Sequence, residues 1–395
     1  MSKYFKELLD NNLYGIPVQN YSSNRTFISD NKPFSDFCST NYLGLDYREE
    51  MFLASDNFLR KWGSLTQWGR LEADCHIFRD LESSIGEMIG YSRVLLSHTI
   101  SNGCTSSIPA ITGRNALLIC DTYLHPVVKT GCKLASLDHS EIIKFDVNNL
   151  DHLESILIAN KAIKRKFIFV DGVHSLARYI APVPELQFLC RKYDSWLFID
   201  DAHGFGIFGE SPSLDNPWGS GGNGIINYFK GDTRRTFYIS SFGKAFCTHT
   251  AFLGIPEEYE SNIAVESDQF VYSAPISPAL AGMAYAALQI NKESGDDLRR
   301  KLREKIIYFT DGLKALDIPF HSVNHHPAIH VICGKKENVP LWNTILMEHG
   351  IFSGIRIFPL TPRLECGFRF AITATNSQEQ LDNALNALAA IKALY

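Results

Sequence analysis

With 395 residues, 45% of them hydrophobic, the chain can bury a core large enough for two or more domains. A net charge of -5 and a pI near 6.2 exclude an overall basic field for nucleic acid, so no nucleic-acid partner is expected. The nine cysteines are scattered without CxxC spacing, no apolar window is long enough to span a bilayer, and "MSKYFKELLDNN" is not a basic segment followed by an apolar run; the expectation is a cytoplasmic chain with reduced thiols and no membrane span.

In chain order, residues 1–48 read as an N-terminal arm, 49–276 as a large α/β domain and 277–395 as a smaller α+β domain. In the large domain "NALLICD" (115–121), "KFIFVDG" (166–172), "SWLFIDD" (195–201), "TFYISS" (236–241) and "TAFLGI" (250–255) are short apolar runs that fit strands buried on both faces. Helical patterns lie between them: "HPVVKTGCKLA" has Pro126 near its first turn and "VPELQFLCRKY" has Pro184 placed likewise. Strands separated by helices predict βαβ units and a mostly parallel sheet. The stretch "GESPSLDNPWGSGGNG" after Phe208 reads as a flexible insertion, and it lacks the GK[ST] ending of a phosphate loop. From Ser277 onward come two long helical patterns, "SPALAGMAYAALQI" and "DDLRRKLREKIIYFTDGLKAL". They are followed by the strand "AIHVICG", the helix "PLWNTILMEHG", the strand "FRFAITA" and a last helix from Ser377.

Two strand ends carry the chemistry. "FIDDAHGFGIFG" closes one apolar run with Asp200 and Asp201 and places His203 just beyond them; "SSFGKAF" closes another with Ser241 three residues before Lys244. A lone lysine with a carboxylate partner is often a surface ion pair. Here both groups stand where open α/β sheets hold ligands, with the small residues Ala202, Gly204 and Gly243 beside them for close approach. Pyridoxal 5'-phosphate asks for this set: an amine for its aldehyde, an anion for its protonated ring nitrogen and donors for its phosphate. Lys244 is then the Schiff-base lysine, Asp200 the partner of the pyridinium and Ser241 a phosphate donor, since a carboxylate beside the ring favours its protonated form.

"DDAHGFGIFG" with "SFGK", preceded by "STNYLGL" (39–45), "GYSRVLL" (90–96) and "APVPEL" (181–186), resembles the α-oxoamine synthases, fold-type I enzymes dependent on pyridoxal phosphate. The resemblance runs from about residue 35 to the end. It implies a large domain with a mostly parallel seven-stranded sheet, a smaller α+β domain and a homodimer with shared active sites. It also implies that His125 in "TYLHPVV" stacks on one face of the cofactor ring while Ala202 covers the other. By the same resemblance His203 and Ser175 meet the ring oxygen, Tyr272 and Ser273 reach the partner's phosphate, and Arg369 in "FRFAIT" grips the substrate carboxylate.

The chain departs from that family at several points. "HTISNGC" puts Thr99, Ile100 and Ser101 where Ser-Gly-aromatic is usual; backbone N–H groups can still serve a phosphate there, with Ser101 and Asn102 as the candidate contacts. Thr40 stands where many members have Asn, next to Asn41, so the substrate contacts of this segment are altered. "GSLTQWGRLEAD" replaces a glycine-rich loop and keeps Arg70. The run "HSVNHHPAIH", with His321, His325, His326 and His330, could hold zinc by composition, but it enters a predicted strand with no flanking cysteine and no metal is expected. The activity the resemblance implies is decarboxylative condensation of an amino acid with an acyl-CoA or acyl-carrier thioester. An autoinducer-type aminoketone synthase, another aminotransferase and a non-catalytic partner subunit are the alternatives; such a partner subunit typically lacks the lysine that Lys244 supplies.

Overall fold

The computed structural model describes residues 6, 8–10, 13–66 and 68–394; the rest of "MSKYFKELLDNN" lies outside the described residues. The elements begin with β1 (Asn20–Ser22), β2 (Thr26–Ser29), β3 (Lys32–Phe37), α1 (Glu49–Trp62), α2 (His76–Ile89), β4 (Arg93–Ser97) and α3 (Ile100–Thr112). An alternating series follows: β5 (Leu117–Asp121), α4 (Pro126–Ser136), β6 (Glu141–Phe145), α5 (Leu150–Ala159), β7 (Lys166–Asp171), α6 (Val183–Lys192), β8 (Trp196–Asp200), β9 (Thr236–Ser241) and β10 (Ala251–Ile255). The remainder is α7 (Pro278–Ala315), β11 (Phe320–His321), β12 (Ala328–Gly334), α8 (Val339–Glu348), β13 (Ile351–Arg356), β14 (Cys366–Ala371) and α9 (Gln378–Lys392).

The contacts divide the chain into a larger unit, residues 45–175 with 179–296, and a smaller one, residues 1–44 with 176–178 and 297–395. The larger unit holds a seven-stranded sheet in the order β4-β10-β9-β8-β7-β5-β6. β5, β7 and β10 are buried along their whole length, which is why these runs are apolar without alternation. β10 alone runs antiparallel to its neighbours. The nine residues from Phe242 to Thr250 contain no crossover helix, so the chain leaving β9 can only fold back beside it.

The smaller unit holds a second seven-stranded sheet, β1-β2-β3-β13-β14-β12-β11, antiparallel except where β3 pairs with β13. The sequence divides the chain at 48 and 276, whereas the contacts place β1 to β3 with the C-terminal strands, because Ser35, Asp36 and Phe37 find their ladder partners at Ile351, Phe352 and Ser353. α9 starts as its sequence predicts, with a capping box between Ser377 and Gln380.

Two expectations are corrected. The two helical patterns after Ser277 form one helix of 38 residues, α7; Gly295 is a permissive residue costing about 1 kcal/mol relative to alanine, not a break. The insertion after Phe208 is built into the unit: Trp218 is 1% exposed, its carbonyl accepts from Gly209, and Ser220 donates to Glu210. A Cβ on Gly209 would lie 1.9 Å from the Ser220 carbonyl oxygen, so backbone approach explains a glycine there. Among the described residues no helix is long and apolar enough to cross a membrane.

Candidate active site

In the larger unit the C-terminal ends of β7, β8 and β9 lie side by side. β7 and β8 are in parallel register with Asp171 opposite Asp200, and β8 pairs with β9 so that Asp200 lies opposite Ile239, two residues before Ser241. The Asp200 side chain is 5% exposed, and its Oδ1 accepts from the Ala202 amide at 3.1 Å in the turn that follows the strand. Ala202 and His203 are buried in that turn. Asp201, the second residue of the "DD" pair, does a different job. Its Oδ2 accepts from the Tyr238 hydroxyl at 2.6 Å and the Ile225 amide at 2.9 Å, and burial lifts its carboxyl to about 7.

Lys244 stands in the turn between β9 and β10. Ser241 Oγ accepts from the Gly243 amide at 2.8 Å, which tightens that turn just ahead of the lysine. A Cβ on Gly243 would come within 2.9 Å of Ser241 Oγ. The Lys244 charge is felt by both Asp171 and Asp201, lowering the proton affinity that burial raises in each. The turn then closes through Cys247, whose φ of 60° is left-handed.

α3 aims its N-terminus from the end of β4. Thr99 caps it: its Oγ1 accepts from the Asn102 amide at 3.2 Å and donates to Asn102 Oδ1 at 2.7 Å. Ser101 and Asn102 are exposed in this first turn, and with Oδ1 engaged Asn102 presents its Nδ2 hydrogens as donors. His125 is the N-cap of α4, its Nδ1 accepting from the Val127 amide at 3.4 Å ahead of Pro126. Ser175 is half-buried in a tight hairpin in which His174 donates its amide to Tyr179. Ser273 shares a small cavity with His98, Ser97 and Arg70, while Tyr272 is 85% exposed. Arg70 is spent within this wall: Asp74 and Glu82 neutralise it, and it lies between the Phe78 and Phe270 rings.

The smaller unit brings together a different set. Arg369 on β14 pairs across the sheet with His330 on β12 and Gly354 on β13, so these share one face. Burial and the neighbouring Arg356 guanidinium push Arg369 down to about 10, and its Nε has no hydrogen-bond partner among the described residues. Neither arginine has a carboxylate partner among the described residues. Thr40 and Asn41 are half-buried in the turn after β3, where their carbonyls accept from Tyr42 and Gly44. The histidine run serves the sheet: His330 Nε2 donates to the Glu365 carbonyl at 2.8 Å, His321 meets the Glu365 carboxylate at 3.0 Å and His326 Nδ1 accepts from Ala328.

Two residues escape the sequence reading. Asp171 ends "FVDG" as Asp200 ends "FIDD", a parallel visible in the strings, but only strand register makes the two acids neighbours. Arg356 beside Arg369 has no local signature.

The description "Aminotransferase class I and II" matches residues 73–388. The chain is 28% identical over 357 residues to an 8-amino-7-oxononanoate synthase of Petrotoga mobilis, covering 90% of this chain and 87% of the relative. Among solved structures, a serine palmitoyltransferase from S. paucimobilis with a bound PLP–myriocin aldimine superposes with a TM-score of 0.87 at 20% identity, covering 99% and 96% of the two chains. An 8-amino-7-oxononanoate synthase from Francisella tularensis gives 0.74 at 19% identity, covering 91% and 98%.

Proposed function

The chain belongs to the class I and II aminotransferase family, and from that premise we propose that it joins an amino acid to an acyl thioester with loss of carbon dioxide, giving an aminoketone. The observation that carries the reading is the larger unit's donor set: a lysine in the turn after β9, a buried carboxylate ending the adjacent β8, and an open helix N-terminus at α3. That set fits pyridoxal 5'-phosphate, which supplies an electron sink for the carbanion formed at the amino acid's Cα. The names of the relatives, 8-amino-7-oxononanoate synthase and serine palmitoyltransferase, favour the condensation over amino transfer.

In this reading Lys244 anchors the cofactor and then, as a free amine, takes the proton from the substrate's Cα. Asp200 holds the proton at the ring nitrogen, and its burial strengthens that interaction. His125 and Ala202 would hold the cofactor ring between them, and His203 and Ser175 would contact its oxygen substituent. The amides of the first α3 turn, with Ser101, Asn102 and Ser241, receive the phosphate. Ser273 serves the partner's phosphate in a homodimer. Arg369 offers a carboxylate its planar fork, with Thr40 and Asn41 as further substrate contacts.

Product analysis tests the reaction. Candidate amino acids offered with a panel of acyl-CoAs and an acyl-carrier thioester should release free thiol and carbon dioxide in equal amounts, because each condensation frees one thiol and each β-keto acid formed sheds one carboxylate. A keto acid product with no thiol released would make the protein an aminotransferase and overturn the condensation.

A further inference from the structure

Two carboxyl groups, Asp171 and Asp200, stand abreast at the ends of β7 and β8, and both are buried. Two like charges side by side away from water are costly, so their environments must divide the work. The Asp200 carboxylate turns into its own loop, accepting from Ala202. Asp171 instead reaches a residue far back in the chain: its Oδ1 accepts from the peptide N–H of His125 at 3.0 Å. That amide precedes α4, where no helical carbonyl is available to it. His125 is therefore held twice, through its amide by Asp171 and through its ring Nδ1 by the Val127 N–H. Because Nδ1 accepts, the neutral imidazole carries its proton on Nε2. Pro126 next in the chain fixes the following φ and removes one more degree of freedom.

We propose that Asp171 is a positioning residue: through Oδ1 it clamps the His125 amide and thereby sets the plane of the imidazole, leaving the Asp200 carboxylate to face the cofactor's ring nitrogen. The inference rests on the reading above in that His125 covers the ring. The clamp needs an acceptor oxygen rather than a negative charge. Burial first, and then the neighbouring Asp200, raise the proton affinity of Asp171 well above the ordinary carboxylate range; the His125 N–H bond and the Lys244 charge oppose this and Asp121 adds to it, and the net shift is upward. A neutral carboxyl keeps the acceptor and avoids a second anion beside Asp200.

Asp171→Asn keeps an acceptor oxygen without a charge, whereas Asp171→Leu and the smaller Asp171→Ser remove the carboxyl. In the apoprotein, hydrogen exchange of the segment containing the His125 amide should be unchanged in Asp171→Asn and at least tenfold faster in Asp171→Leu or Asp171→Ser. After loading with pyridoxal phosphate to equal absorbance, the circular dichroism induced in the cofactor band should persist in the Asn variant and fall at least twofold in the other two. Wild-type exchange and dichroism in a folded Leu or Ser variant would overturn the clamp. Loss of both signals in Asp171→Asn would overturn it too, by showing that the charge is what matters, and this variant reports even if the others fail to fold. Neither readout involves thiol or carbon dioxide release, so failure of the condensation assay in the wild type is a separate result.

Discussion

The two units differ in which of their acids and bases burial perturbs furthest. The larger one sinks acids into its parallel sheet: Asp121, Asp171 and Asp201 are enclosed, and burial raises the proton affinity of each. The smaller one sinks bases into its antiparallel sheet: burial drives Arg369 down to about 10 and His330 to about 4. Burial away from water disfavours the charged form of each of these groups.

The largest expected effect separates the two roles. Lys244→Ala should lower turnover by at least about a thousandfold and abolish covalent fixation of the cofactor by borohydride, since it removes both the anchor and the general base. Hydrogen exchange in the strands of the smaller unit should not change. Trapping on a different lysine in the wild type would remove the basis of the comparison.

Next come opposite responses to pH. The Asp201 carboxyl titrates near 3.8 when unfolded and near 7 when folded, so its contribution is complete in acid and is lost as pH rises between those values. His330 titrates near 6.5 unfolded and about 4 folded, so its contribution is present at neutral pH and is lost as pH falls from 6.5 to 4. At about 1.4 kcal/mol per unit, each is worth roughly 3 to 5 kcal/mol. Amide exchange in β8 and β9, corrected for intrinsic rates, should accelerate with rising pH and that in β12 and β14 with falling pH. Asp201→Asn and His330→Gln should each flatten one slope only; slopes of the same sign in both units would contradict the contrast.

Arg369→Ala should weaken amino-acid binding by roughly tenfold to a hundredfold, the value of about 1.5 to 3 kcal/mol for a charge-assisted hydrogen bond, and leave cofactor affinity near that of the wild type. Spectral titration with the amino acid measures the first and dialysis against cofactor the second. An equal loss of both would place Arg369 outside substrate binding. The smallest effect is local: Ser377→Ala breaks the capping box of α9 and should cost the smaller unit about 1 kcal/mol, read as faster exchange in α9, with the larger unit unaffected.

Much of the candidate site can be read from the chain because its signals are local. An apolar run of five or six residues that ends in Asp200, or in Ser241 and a turn before Lys244, reports a buried strand and what stands at its end, whatever packs around it. Ser377 with Gln380, and Pro126 after His125, mark helix starts for the same reason: cap and first turn are neighbours in sequence. The tertiary structure decided everything that depends on pairing between distant segments. It set Asp171 beside Asp200 and against His125, made β3 a neighbour of β13, and brought Arg356 up to Arg369. It also carried α7 through Gly295 and buried Trp218 within a glycine-rich insertion that reads as flexible. Strand register and burial are properties of the packed whole, won only when segments hundreds of residues apart dock together, and no local pattern of residue types encodes which acid will become the neighbour of which.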